Sequence, residues 1–418
     1  MEPAQVAAQA RKPHSRWAIA VAGMCALAVA MGIGRFAFTP LLPMMLHDGV
    51  VTLSGASWLA TANYVGYLMG ALLCAFQPWI WRRVPSLPPV NGPWMVKLGL
   101  ALTVLLTIGM ALPYSASWPA LRFASGVASA LVFVYTSGFC LLQLARLGVP
   151  GMGGLIYMGP GAGIIVTGLF ASGLVAIGAQ AVVGWLIFGV LSLLLSLWIA
   201  PVFRAQAAPA SPSAALPASA AVNLDTGIGE IPLLSLAYGF AGFGYIITAT
   251  FLPVIARQAI PGSAWLDLFW PIFGSGVMMG AVIASRIPVG PDNRRLLAGC
   301  YLVQATGIAI GVVSPSATGF AIGSLLLGLP FTAITYFALQ EIRRLKPASA
   351  PSYIGLITAL YGIGQIAGPP LVALLLRHSA TPGEGFQRGL EIAAGSLVLG
   401  AVMFALMTRL YPVARYVR

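Results

Sequence analysis

Two arginines lie inside long apolar stretches of this chain, and their type and position invite a chemical reading. Arg35 stands in G-I-G-R-F-A-F-T-P-L-L-P-M-M, Gly32 to Met45, and Arg122 in L-R-F-A-S-G-V-A-S-A, Leu121 to Ala130. A charge at membrane depth costs about 2.5–3.5 kcal/mol on insertion scales. A guanidinium cannot avoid that cost by losing its proton. Arg35 must therefore face protein or a watered cavity, and its planar fork suits a carboxylate or a phosphate. Arg122 lies near the outer end of its stretch, where snorkelling competes with a functional role. Ser125 and Ser129 follow it along the same helical face.

Acids to balance these charges are scarce. Of the nine Asp and Glu residues, none falls at a predicted membrane midplane. Asp267 and Glu391 come nearest, just inside the outer ends of their segments, and are the candidate proton relays. Two arginines without a central carboxylate leave positive charge unbalanced. An anionic substrate would supply the missing charge, unless bent helices bring Asp267 or Glu391 closer than their positions suggest. Other polar residues fall in stripes: Asn63 with Tyr67, Tyr245 with Thr248, Thr332 with Thr335 and Tyr336, and Thr358 with Tyr361 and Gln365. Gln304 stands alone. Asn63, Tyr245, Tyr361 and Gln365 join the two arginines as the candidate substrate-binding set. Each of these polar groups could equally make an interhelical hydrogen bond, worth on average about 0.6 kcal/mol.

The three histidines, His14, His47 and His378, fall in predicted loops or tails. The four cysteines, Cys25, Cys74, Cys140 and Cys300, sit in apolar segments without metal-ligand spacing. No catalytic residue, metal site or cofactor is expected, and an intramembrane enzyme is a remote reading. No Gly-Lys-Ser/Thr phosphate loop is present, so ATP is not expected as the direct energy source.

The elements that must hold these groups are membrane helices. The chain is 59% hydrophobic and 7% charged, with mean hydropathy +0.91, against about 25% charged in a soluble domain. Segments of about 20 apolar residues recur twelve times, at roughly 17–45, 54–80, 95–113, 117–143, 151–176, 180–201, 231–256, 264–286, 296–314, 317–341, 352–376 and 390–411. With the N-terminus inside, 17 of the 22 Lys and Arg fall in inside loops and tails, 3 outside and 2 at membrane depth. That split places both termini in the cytoplasm. It also accounts for the net charge of +13 without nucleic acid, because the basic residues form no stripe. The apolar run after residues 1–16 is too long for a signal peptide and is expected to be retained as the first span.

Residues 202–230 contain A-A-P-A-S-P-S-A-A-L-P-A-S-A-A, an Ala/Pro/Ser linker expected on the cytoplasmic side. It divides the chain into six-span parts, 1–201 and 231–418. The parts resemble each other. A shift of 210 residues carries Gly32, Gly34, Leu42 and Pro43 onto Gly242, Gly244, Leu252 and Pro253, and Gly66, Met69 and Gly70 onto Gly276, Met279 and Gly280. A shift of 201 carries Gly154, Gly161 and Gly163 onto Gly355, Gly362 and Gly364. Such weak symmetry is common in transporters, whose sites lie between the repeats near the midplane. The 210 shift carries Arg35 onto Tyr245, so the charge is an addition to a shared glycine frame.

Twelve spans, a central linker and an internal repeat resemble the major facilitator superfamily. Arg122 and Gly126 match its fourth-helix motif. G-P-G-A-G at Gly159 to Gly163 resembles the Gly-Pro core of its antiporter motif, although Gly154 is displaced by one position and Ile164 replaces a usual Gly. The gating loop after the eighth span keeps Arg286, Asp292, Arg294 and Arg295, whereas the loop after the second span keeps only Arg82 and Arg83. The Gly32–Met45 stretch, with the fourth span, resembles the YbfB/YjiJ-type branch. The resemblance implies an all-α protein of twelve transmembrane helices in two pseudo-symmetric six-helix halves, working by alternating access in the bacterial inner membrane. Gly34, Gly126, Gly159, Pro160, Asp292 and Arg294 are then the expected conformational and gating residues. The expected cargo is a small organic anion held by Arg35 with help from Arg122. Proton-coupled efflux of neutral or cationic compounds through Asp267 or Glu391 is the alternative. The protein is expected to work as a monomer, with the bilayer and its substrate as partners and protons as the candidate coupling ion.

Overall fold

Apolar run length sets the elements. The computed structural model describes residues 15–204 and 229–413, apart from 85, 87–89, 264, 289 and 291. Of the linker expected at 202–230, residues 205–228 therefore lie outside the described residues, and Glu230 already opens the next helix. Among the described residues, twelve helical spans are long and apolar enough to cross a membrane: Arg16–His47, Leu53–Gln77, Gly92–Gly109, Ser115–Arg146, Gly153–Ala176, Ala181–Ile199, Glu230–Ala259, Leu266–Arg286, Arg294–Val313, Ala317–Leu345, Ser352–Arg377 and Pro382–Leu410. They are numbered 1 to 12 below.

The expected bounds hold to within a few residues except at span 12, which begins at Pro382 instead of 390. Thr381 caps it by accepting from the Glu384 amide at 3.3 Å, and Glu384 pairs with Arg388 one turn on. A polar first stretch is thus helical although no hydropathy signal marks it.

Spans 1–6 and 7–12 form two halves with matching crossings. Gly126 lies on the backbone of Asn63 and Tyr67, so that a Cβ there would stand 2.1 Å from the Asn63 carbonyl oxygen. Gly328 lies in the same way on Phe273 and Val277. Gly32 of span 1 meets Gly163 of span 5, while Gly242 and Gly364 join spans 7 and 11. The joints between the halves also correspond. Gly161 packs on Met278, and Gly362 packs on Leu68, the residue 210 positions before Met278. Thr39 Oγ1 donates to the Ala249 carbonyl at 2.9 Å. These residues are counterparts under the same shift, and counterparts can touch only near the axis that relates the halves.

The halves seal against each other at the face away from the basic span ends. Span 1 is buried on all sides from Val29 to Met45, and span 7 from Gly244 to Ala256. Tyr64 and Thr250 share a 2.8 Å hydrogen bond across this seam. Towards the basic face, exposure returns at Trp17 and Leu236.

Candidate functional site

Span 1 does not run straight through the centre. It is a π-helix over Ala28–Ile33, a turn over 34–37, and an α-helix again from Phe38. The amides of Gly34 and Phe36 reach back five residues, to Val29 and Met31, at 2.9 and 3.0 Å. Pro40 has no amide to give and its ring disfavours a regular turn before it. Broken turns leave carbonyls without helical partners, and span 4 provides those partners. Arg122 donates from Nη1 to Gly34 O at 3.2 Å and from Nη2 to Arg35 O at 3.1 Å. Ser125 donates to Gly34 O at 2.7 Å and Ser129 to Ala30 O at 2.6 Å. Arg122 is 2% exposed, so it does not snorkel. Its guanidinium also lies 4.9 Å from the Phe38 ring centroid.

The break turns Arg35 into the seam between the halves. Its Nη2 donates to Gln365 Oε1 at 2.6 Å, and Gln365 Nε2 donates to the Tyr245 hydroxyl. Residues from spans 1, 11 and 7 therefore form one chain of hydrogen bonds. The guanidinium carbon of Arg35 lies 4.2 Å from the ring centroid of Tyr67, 5.1 Å from Tyr64 and 5.4 Å from Phe36. Rings attract a cation but do not neutralise it. Among the described residues neither Arg35 nor Arg122 has a carboxylate partner. Of the nine acids only Glu2 and Asp225 lie outside that set. Arg35 Nε is buried with its proton unspent.

The structure thus brings together Arg35, Tyr245, Tyr361 and Gln365 of the sequence-predicted set, with Tyr361 stacked on Tyr245 at 5.9 Å. Asn63 stands one layer behind and donates to the Arg122 carbonyl at 3.0 Å. Gly34 lies at the break and Gly126 at the crossing of spans 2 and 4. Gly159 presses on the Met24 carbonyl of span 1, and Pro160 opens the main helix of span 5. The two proton-relay candidates lie elsewhere. Asp267 is ion-paired with Arg257 at the far end of spans 7 and 8, and exposed Glu391 accepts from Gln387 at 3.0 Å.

Asp292 and Arg294 form a second charged cluster, on the basic face. Arg294 Nε and Nη2 donate to the two Asp292 oxygens at 2.8 and 3.0 Å. Its Nη1 donates to Glu230 Oε1 at 3.0 Å, and its Nη2 to the Tyr411 carbonyl at 2.8 Å. Glu341 accepts from the Asn293 amide at 3.2 Å and from Arg344 Nε at 3.1 Å. Burial alone would raise the Asp292 pKa, but the hydrogen bonds and charge of Arg294 outweigh it and hold the carboxyl below its usual value. One guanidinium so ties the ends of spans 7, 9, 10 and 12.

Sequence reasoning missed the aromatic wall around Arg35 and the part played by Glu230. Phe331 of span 10 touches Phe36 and Tyr245 at 6.3 and 4.9 Å, and Trp270 of span 8 lies 6.2 Å from Phe36. Aromatic residues are 10% of this chain, so their presence in a span marks nothing. For Glu230 the available signal was an acid opening a membrane span, with Arg294 opening another.

Twelve spans in two matched halves, meeting at one buried polar centre, define a membrane transporter of the two-half type. The chain belongs to the major facilitator superfamily, in the family described as "Uncharacterised MFS-type transporter YbfB", which matches residues 27–405. The D-xylose–proton symporter shares its fold with TM-score 0.71 and 14% identity, over 93% of this chain and 97% of that one. The nucleoside transporter NupG does so with TM-score 0.65 and 14% identity, over 94% and 99%. The efflux pump patC of Aspergillus clavatus is 29% identical over 134 residues, 31% of this chain and 24% of that protein. The MFS-type transporter patC of Penicillium expansum is 28% identical over 144 residues, 33% and 24%. The matches span about a quarter of the length of these curated relatives.

Proposed function

We propose that this transporter carries a small organic anion by alternating access, across the bacterial inner membrane, with Arg35 as the anchor and both termini in the cytoplasm. The observation that carries the reading is the position of Arg35. It is buried in the seam, bonded from the first half through neutral Gln365 to the second, and has no carboxylate partner among the described residues. A bound carboxylate would balance that charge and take up the unspent Nε proton. Because Gln365 links Arg35 to Tyr245, an anion that draws Arg35 away also loosens the contact between the halves. Binding is thereby coupled to movement of the seam. In this reading Arg122 is a positioning residue that holds the broken backbone on which Arg35 sits. The Arg294 cluster would hold the second half rigid while the halves rock.

Efflux of neutral or cationic compounds driven by protons is the weaker reading, since Asp267 is held by Arg257 away from the centre. The test is uptake of labelled organic anions into proteoliposomes. Arg35→Gln in protein that still inserts and elutes as a single species is expected to abolish uptake, and Arg35→Lys to restore part of it. Undiminished uptake by Arg35→Gln would sink the anion reading.

A further inference from the structure

The groups around Arg35 say more than charge. Its buried Nε has no partner. That atom can only donate. A ligand that satisfies it must present an acceptor. The lining around Arg35 is aromatic. Most rings in the wall are buried against each other, but Tyr67, Phe331 and Tyr361 keep part of their surface free. Tyr67 of span 2 lies on Arg35, while Phe331 of span 10 and Tyr361 of span 11 flank Tyr245 at the other end of the Arg35–Gln365–Tyr245 chain. Rings prefer offset or edge-on partners of their own kind, and Phe331 already meets Tyr245 edge-on at 74°. A cation would also find rings attractive, but not beside an unneutralised guanidinium.

We infer that the cargo is a planar aromatic carboxylate, with its anionic group on Arg35 and its ring against Tyr67, Phe331 and Tyr361. This deepens the anion reading above and depends on it. A sugar acid or short aliphatic acid satisfies Arg35 but leaves the free ring surfaces without a flat partner.

The two claims separate with three probes of similar size, titrated calorimetrically into the purified full-length protein. These are 2-naphthoate, decahydro-2-naphthoate and 2-naphthamide. The expected order is 2-naphthoate first, with the saturated acid and the amide each about tenfold or more weaker. Tyr361→Leu should remove most of the preference for the flat acid over the saturated one, while Tyr361→Phe keeps it. The melting temperature and elution profile of each unliganded variant establish that it is folded. Equal affinity for the two acids, or a preference unchanged by Tyr361→Leu, overturns the aromatic inference and leaves the anion reading standing. Equal affinity for acid and amide, unchanged in Arg35→Gln, overturns the anion reading itself. Absence of 2-naphthoate binding at millimolar concentration overturns the inference outright.

Discussion

The two halves share a glycine frame and differ in what is hung on it. In the first half, span 1 is broken at 28–37 and Arg122 holds the freed carbonyls. In the second, span 7 is one continuous helix over Glu230–Ala259, Pro253 included. The pairing of Gly126 with Gly328 puts Ser324 at the place of Arg122. Ser324 Oγ and Thr248 Oγ1 line a small, largely apolar cavity and have no hydrogen-bond partner there. A guanidinium is thus present where the backbone is broken and absent where it is whole. The basic ends differ in the opposite sense. Phe139 packs on Phe203 at 5.5 Å in the first half, and its counterpart in the second is Glu341, inside the Arg294 network. The first half has its charge at the centre, without a carboxylate partner among the described residues. The second has its charge at the rim, neutralised.

The largest effect is expected at the rim. Arg294→Gln leaves Glu230 and Glu341 buried with less positive charge around them, and breaking a buried pair costs about 3–5 kcal/mol. Phe139→Leu, a similar-volume change at the counterpart, should cost less than about 1.5 kcal/mol. Thermal unfolding of the two variants in one detergent checks this, and equal losses would break the contrast between the ends.

Next comes the broken helix. Arg122→Leu orphans the Arg35 carbonyl and leaves Gly34 O with Ser125 as its remaining side-chain donor, at about 1–3 kcal/mol for the buried group left unmet. Ser324→Ala should stay within about 0.5 kcal/mol of the wild type. If the two substitutions lower the melting temperature alike, Arg122 does not serve the break.

The smallest effect is a pH limb. The Asp292 carboxyl is held below its usual value in the folded protein. The stability it adds is therefore complete above the unfolded value, near 3.9, and is lost as pH falls through the lower folded value. Melting temperature against pH should bend downward below about pH 4, and the bend should be shallower in Asp292→Asn. Identical acid limbs would remove Asp292 from the network.

Much of the frame was legible because it is written in local or periodic signals. Apolar run length marks spans, and the shifts of 210 and 201 residues align the glycine frame of the two halves. The site was legible only as far as charge goes. Arg35, Gln365 and Tyr245 stood out as polar residues in apolar spans. What Arg122 binds could not be read, because backbone carbonyls carry no residue-type signature. The Arg35 wall was hidden among many other aromatic residues. The start of span 12 was hidden because Glu384, Arg388 and Glu391 interrupt the apolar run while the helix continues through them.

The central claim is that Arg35 is a charge awaiting its partner from the substrate. The most direct test is calorimetric titration of 2-naphthoate into wild-type protein and Arg35→Gln. Removing one member of a buried charged pair costs about 2–5 kcal/mol of binding, so the variant should bind at least about 30-fold more weakly with its unliganded melting temperature little changed. Equal dissociation constants in the two proteins would contradict the account.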